Sequence, residues 1–247
     1  MLALLVAMQA VPQAAPPLRL HYRVASISTI DLGTGAAPLV LRMSAFIAIT
    51  LSDSTAGRFA EVRIYRSAFD GGAMAASLPP QLLADPKDVT LHGYVRNGRL
   101  TSLIPSTPNL QAMQLVAAIQ LVLTATRPAA PGDRWTDSSA TDSISAAATS
   151  RTRSKTAWIV KQGAGGGTDF EGTITGTMTL EAGSQRIELP ILGNSRLTTR
   201  GDSQASTASQ TTSGQGELKI GAGSLMMKVR NEVTATLFRT SVWSVIP

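Results

Sequence analysis

A long segment without charged side chains constrains this fold most strongly. Its sequence, TPNLQAMQLVAAIQLVLTAT, predicts one helix over residues 108–126. Thr107 can accept a hydrogen bond from a free backbone amide in the first turn, and Pro108 fits the first helical position. Because no charged residue lies between Arg99 and Arg127, such a helix has to be covered by other parts of the protein.

The predicted helix has one broad apolar face and one mixed face, at about 100° per residue. The apolar face consists of Ala112, Leu115, Val116, Ile119, Val122 and Leu123. The mixed face combines glutamines and a threonine with Leu110, Met113, Ala117 and Leu121. We predict that these four apolar residues line an apolar cavity and form the ligand-binding site; the other interpretation is that they pack against protein.

Alternating apolar residues predict long strands before this helix. In Leu39–Leu51 every second residue is apolar, which predicts a strand of roughly 40 Å. Leu18–Ile30 and Phe59–Ser67 alternate less regularly. The Asn97-Gly98 pair predicts a tight hairpin turn between two shorter strands. Residues 18–103 therefore read as a first antiparallel meander.

The second half, residues 135–244, reads as another meander with many serine and threonine residues. Threonine is β-branched and tolerates water, so it suits a sheet with one solvated face. The predicted strands are 143–161, 169–181, 185–192, 195–210, 214–220 and 225–244. We expect a mainly β protein, with a single domain over residues 18–247 in which a large curved antiparallel sheet, a half-barrel, wraps around one central α-helix.

The N-terminal residues 1–17 resemble a secretory signal peptide followed by a disordered leader. The apolar run Leu2–Met8 is followed by small residues and prolines, although no basic residue precedes it. The apolar run is too short to cross a bilayer as a helix. We therefore expect a periplasmic or secreted protein.

Composition excludes several classes of site. The chain contains no cysteine, which excludes disulfides, thiolate metal sites, cysteine nucleophiles and an acylated lipobox cysteine. The net charge is +6, but the basic residues are scattered and aromatic residues make up only 4% of the chain. This composition is unlike the stacking surfaces of proteins that bind single-stranded nucleic acid, so we expect no nucleic-acid partner.

The motifs give no basis for an enzyme. His21 and His92 have no further ligands at metal-site spacing, and no Gly-x-Ser-x-Gly motif is present. Gly163–Thr168 lacks the lysine of a phosphate-binding loop. Asp169 and Glu171 share one strand face but are best explained as surface charges. We predict no catalytic residues, no metal and no cofactor.

One basic run admits two interpretations. Arg151, Arg153 and Lys155 alternate along a predicted strand and therefore share one face. They could contact lipid headgroups or a polyanion. The interpretation we favour at the level of sequence is that they keep an edge strand from pairing with another chain.

The order of elements resembles that of the bacterial lipoprotein carriers, the LolA/LolB/LppX-like half-barrels. The residues that carry the resemblance are the hairpin Asn97–Leu100, which leads into the helix, and Pro131–Trp135, where the chain re-enters the sheet. The resemblance spans Leu18–Trp243 and implies a curved sheet around helical segments with an apolar cavity. Since the acylated cysteine of the lipoprotein members is absent, it implies a soluble carrier.

Three functions remain open from the sequence. The first is a non-enzymatic binding protein for a lipid or other apolar ligand. The second is a structural or interaction protein of the envelope, which has the same fold, an envelope protein partner and no ligand cavity. The third is an outer-membrane barrel, against which the scarce aromatic residues and the long helix argue.

Overall fold

The structure is a computed structural model that describes most of the chain. The described residues are 17–55, 57–72, 84–87, 89–96, 99–107, 109, 111–112, 115–144, 149–182, 185–200, 204–220 and 223–238. The predicted signal peptide, apart from residue 17, and the Asn97-Gly98 turn lie outside these residues.

Eleven antiparallel strands form a single sheet. Their bounds are β1 (Leu18–Asp31), β2 (Leu39–Ser54), β3 (Gly57–Asp70), β4 (Thr90–Arg96), β5 (Arg99–Pro105), β6 (Arg134–Ile144), β7 (Thr149–Gln162), β8 (Thr168–Ala182), β9 (Gln185–Thr199), β10 (Ala205–Ile220) and β11 (Gly223–Phe238). The prediction of a mainly β, antiparallel protein is confirmed.

The strand order explains how the two meanders combine. The order is β5-β4-β3-β2-β1-β11-β10-β9-β8-β7-β6. The first and last strands, β1 and β11, therefore pair in the middle of the sheet, for example at Val24 and Ala235. The two edge strands, β5 and β6, are consecutive in the sequence. The sheet curls into a nearly closed barrel shape, which brings these two edges towards each other.

Several strand boundaries in the second half differ from the prediction. The predicted strand 195–210 is divided between β9 and β10, and the break expected between residues 210 and 214 lies inside β10. The break expected between residues 192 and 195 is absent, because β9 continues to Thr199 and Gly193 pairs with both Ile174 and Thr212. A Cβ atom at Gly193 would lie 2.3 Å from the Thr211 carbonyl oxygen, so this glycine permits close approach of two strands and does not mark a turn. The predicted strand 143–161 is instead divided between β6 and β7.

The helix α1 (Val116–Thr124) occupies the C-terminal part of the predicted helix. Before it, the backbone amide of Ala112 donates to Asn109 Oδ1 over 2.8 Å, so Asn109 caps the turn described there. The cap predicted at Thr107 stays a prediction, because residues 108 and 110 lie outside the described residues. Pro108, Leu110, Met113 and residue 114 lie outside the described residues. No helix in the described part of the chain is long and apolar enough to cross a membrane.

The main apolar core lies between α1 and the inner face of the sheet. The largest fully buried side chains are Leu20, Tyr22, Ile47, Ile49, Leu51, Ile64, Leu91, Leu115, Ile119, Leu123, Leu189 and Leu197. All of these except Leu189 belong to one continuous cluster. Strand alternation explains the pattern, since Ile47, Ile49 and Leu51 project to the same face of β2.

Candidate functional site

The predicted cavity residues divide between the core and the exposed side of α1. Leu121 is 3% exposed and belongs to the main apolar core, whereas Ala117 is exposed. Leu110 and Met113 lie outside the described residues. Leu121 is therefore in contact with protein, and the ligand-binding role of these four residues stays a prediction.

The helix contacts strands that are far apart in the sheet order. It lies against β5, which is an edge strand, and against β9, β10 and β11. Gln120 anchors it to β5, because its Oε1 accepts a hydrogen bond from the backbone amide of Leu100 over 2.8 Å. Beyond the helix, the Arg127 guanidinium lies 4.3 Å from the ring centroid of Trp135 on β6. The segment between β5 and β6 thus contacts both edge strands.

A second apolar cluster, which we call the distal cluster, contains no helix residue. Its buried members are Ile187, Leu189 and Met227. Its half-buried members are Ile30, Met178, Leu180 and Val229. These residues project from β1, β8, β9 and β11, and a small cavity of about 10 Å³ lies beside Met178, Leu189 and Val229. The inner face therefore carries apolar side chains that α1 does not cover.

On β9, the polar residue Ser195 lies between Leu197 of the main apolar core and Leu189 of the distal cluster. Ser195 is buried, and its hydroxyl lies 3.2 Å from Oε1 of Gln210 on the neighbouring strand. Further along β10, a Cβ atom at Gly216 would lie 2.5 Å from Cδ2 of Leu189. Gly216 therefore leaves room for Leu189 to lie over β10. The two apolar regions are distinct along the strands.

A larger pocket, which we call the seam pocket, joins β5 to strands β6, β7 and β8. Its volume is about 420 Å³, and its lining contains the cations Arg99, Arg153 and Lys155 and the hydroxyl residues Ser138, Ser139, Ser154, Thr175 and Thr177. The Arg99 guanidinium donates to the Ser138 carbonyl oxygen over 2.6 Å. This hydrogen bond connects the two edge strands of the sheet.

The two histidines lie on separate strands, His21 on β1 and His92 on β4. His92 Nε2 lies 3.8 Å from Glu61 Oε2, and the His92 ring stacks on Phe59. Burial, together with the nearby Arg19 guanidinium, lowers the pKa of His21 below its ordinary value of 6.5. Within the described ranges, no three His, Cys, Asp or Glu side chains cluster to hold a metal ion.

The acidic pair considered for glycoside hydrolysis is engaged in ion pairs. Asp169 lies 3.5 Å from Arg196 on β9, and Glu171 is paired with Lys161 on β7. Both contacts join neighbouring strands on the outward face. This arrangement agrees with the interpretation of Asp169 and Glu171 as surface charges.

The sequence predicted that Arg151, Arg153 and Lys155 share one strand face, and two of them, Arg153 and Lys155, line the seam pocket. It did not indicate Arg99 as their neighbour. Arg99 lies on β5, at one end of the strand order, and Arg153 lies on β7, next to the other end, so only the curvature of the sheet brings them together. The half-buried residues of the distal cluster did show a signal, since Met178 and Leu180 lie on the apolar side of an alternating segment.

No family model matches the chain, and no curated protein matches it. Among solved structures, the chain is similar to the COG4313 outer membrane channel from Pseudomonas putida F1, with 8% sequence identity and a TM-score of 0.21. That match covers 94% of this chain and 100% of the channel.

Proposed function

We propose that this chain is a non-enzymatic binding protein for a lipid or other apolar ligand, secreted or periplasmic, in which the curved sheet wraps around the helix. Such an arrangement is also what the resemblance to the lipoprotein carriers implies. In this proposal α1 fills one end of the concave face and the ligand covers apolar side chains at the other end.

The distal cluster is the observation that carries the proposal. Met178, Leu180, Ile30 and Val229 point to the inner face but remain half-buried. Leaving apolar surface in water costs about 25 cal/mol per Å², so an apolar ligand that covers these side chains would gain free energy. The whole distal cluster extends over four long strands, which suits an extended acyl chain better than a compact ligand.

Polar and charged side chains on the outward face of the sheet are what we expect for a protein that is surrounded by water. Thr173, Thr175, Thr177 and Thr179 lie on the outward side of β8, and β11 presents Lys228, Arg230 and Glu232 outwards. A strand surface that faces lipid needs an apolar band about 25 Å tall. The polar outward face therefore argues against the third function, a barrel embedded in the outer membrane.

Native mass spectrometry, solvent extraction and titration with a fluorescent acyl probe test the proposal. We expect the purified protein to bind the probe, and the double variant Met178→Gln/Leu180→Gln to weaken binding at least about tenfold, because polar amides replace apolar contacts. The matched control is Leu192→Gln, since Leu192 is 63% exposed on the outward face of the next strand.

The control should bind the probe within about twofold of the unmodified protein, a difference of under 1 kcal/mol. Thermal unfolding of each variant shows whether a loss of binding reflects a loss of the fold. A protein that carries no extractable ligand and also fails to bind the acyl probe would contradict the proposal.

A second candidate function is a structural or interaction protein of the envelope with no ligand cavity. The burial of Leu121 in the main apolar core favours it, because the helix there already has a complete set of protein contacts. On this hypothesis Leu121→Trp destabilises the protein by overpacking, about 1–3 kcal/mol, and acyl probes do not bind. Because Leu121 is buried under both hypotheses, urea unfolding checks only the packing of the helix, and the probe titration separates the two functions.

A further inference from the structure

We propose that the seam pocket binds a phosphate-type anionic group. This inference goes beyond the proposed function and does not rest on it, because none of the lining residues belongs to the distal cluster. The anion could be a free phosphate or the headgroup of a phospholipid, and the chemistry that recognises it is the same.

The strand register brings the basic and hydroxyl side chains together. Lys155 lies directly opposite Ser138 on one side and Thr175 on the other, while Arg153 lies opposite Ala140 and Thr177. Alternation places Arg153 and Lys155 on the face opposite to that of the buried Trp158 and Val160. Two cations and several hydroxyl groups therefore share one outward patch across three strands.

Arg99 completes the patch from the other edge of the sheet. Its Nη2 donates to the Ser138 carbonyl oxygen, and this contact holds the guanidinium at the pocket. A guanidinium presents five N–H donors in a planar fork, so the group still has donors for a ligand. Arginine is suited to phosphate because two of its N–H groups can bond two phosphate oxygens at once.

The lining has an excess of positive charge. Among the described residues that line it there are three cations and no carboxylate. Placing like charges around one pocket is unfavourable unless an anion reduces their repulsion.

Protection of a sheet edge does not explain this basic run. Charged residues discourage pairing when they lie on an edge strand, but β7 is paired with β6 on one side and with β8 on the other. The interpretation of Arg151, Arg153 and Lys155 as protection of an edge strand is therefore wrong. The pocket volume of about 420 Å³ lies in the range of small-molecule sites, roughly 300–1,000 Å³.

Two probes test the proposal with the full chain. The first is inorganic phosphate, titrated into the protein by calorimetry at low ionic strength. The second is a flotation assay with vesicles of phosphatidylglycerol and phosphatidylcholine against vesicles of phosphatidylcholine alone. The test variants are the double variant Arg153→Gln/Lys155→Gln and the single variant Arg99→Gln, each checked for folding by thermal unfolding.

Arg151→Gln is the matched control. Arg151 lies on the same strand and the same face as Arg153 and is exposed, but it does not line the pocket. We expect the double variant to weaken binding at least about tenfold, because charge-assisted hydrogen bonds are lost. Arg99→Gln should weaken binding as well, and Arg151→Gln should change it by less than about twofold.

Each outcome decides the matter. Binding of phosphate that only the pocket variants weaken supports the site with a free phosphate as its ligand, and binding of anionic vesicles alone, with the same variant pattern, supports it with a phospholipid headgroup. If Arg151→Gln weakens binding as much as the double variant does, the attraction is a general effect of charge and the proposal is overturned. If the protein binds neither phosphate nor anionic vesicles, the proposal is also overturned.

Discussion

At the scale of single residues, Tyr22 shows how one side chain connects distant parts of the sheet. Its ring is fully buried in the main apolar core, and its hydroxyl donates to the Ala205 carbonyl oxygen over 3.0 Å. Ala205 begins β10, where the pairing with β9 is irregular between Ala205 and Thr207. The hydrogen bond therefore provides a partner for a buried carbonyl close to a break in the ladder.

We predict that Tyr22→Phe lowers the free energy of unfolding by about 1–2 kcal/mol, because the ring still fills the core but a buried carbonyl loses a hydrogen-bond donor. Urea denaturation measures the change. The matched control is Tyr94→Phe, since Tyr94 is 38% exposed on β4. It should change the stability by less than about 0.5 kcal/mol. Equal effects of the two substitutions would contradict this role of the Tyr22 hydroxyl.

At the scale of elements, alternation predicted the strands well where one face is apolar throughout. In β2, the residues Met43, Ala45, Ile47, Ile49 and Leu51 are all buried, in the pattern predicted from the sequence. The pattern failed at Gly193, because a glycine in a turn and a glycine that admits a neighbouring strand look the same in one sequence. Only the pairing with β8 and β10 distinguishes the two roles.

In the helix, periodicity predicted only some of the buried residues. The sequence predicted that Leu115, Ile119 and Leu123 face the core, and all three are fully buried. It placed Leu121 on the mixed face, yet Leu121 is buried as well. The reason is that α1 contacts strands from both halves of the chain, β5 and β9–β11. Helical periodicity predicts which residues share the covered face, but it does not predict which other residues a second element of the fold buries.

Gln120 is the polar residue that attaches this helix to the sheet edge. We predict that Gln120→Leu lowers the free energy of unfolding by about 1–3 kcal/mol, because the partly buried amide of Leu100 loses its acceptor. Hydrogen exchange of the Leu100 amide should become faster than in the unmodified protein. Gln215→Leu is the control, as Gln215 is exposed on β10, and it should leave both measurements nearly unchanged. Unchanged protection at Leu100 would contradict the role of Gln120.

At the scale of the whole molecule, sheet curvature decides which residues meet. The edge strands β5 and β6 stand at opposite ends of the strand order, but Arg99 on β5 bonds to Ser138 on β6. The seam pocket exists only because of this approach. Local sequence patterns indicate the face on which a residue lies, but not the strand that a curled sheet brings beside it. They therefore placed Arg151, Arg153 and Lys155 on one face but did not indicate Arg99.

Cross-linking tests this approach of the two edges. The natural chain contains no cysteine, so the double variant Arg99→Cys/Ser138→Cys has two reactive thiols and no others. Since Arg99 reaches Ser138 in the folded protein, we expect a short bismaleimide to join the two thiols within one molecule at low protein concentration. Mass spectrometry of a protease digest measures the joined peptides.

The control pair is Arg99→Cys/Ser209→Cys. It shows whether linkage of the first pair depends on the approach of β5 and β6 or occurs between any two thiols in the chain. Ser209 is exposed on β10, four strands from β6 and six strands from β5 in the strand order. A sheet that closes at β5 and β6 gives efficient linkage for the first pair and little for the control. A flat or widely open sheet gives little linkage for either pair, because its edges lie far apart. That result would also remove Arg99 from the seam pocket, whereas the distal cluster, which needs only β1 and β8–β11, would be unaffected.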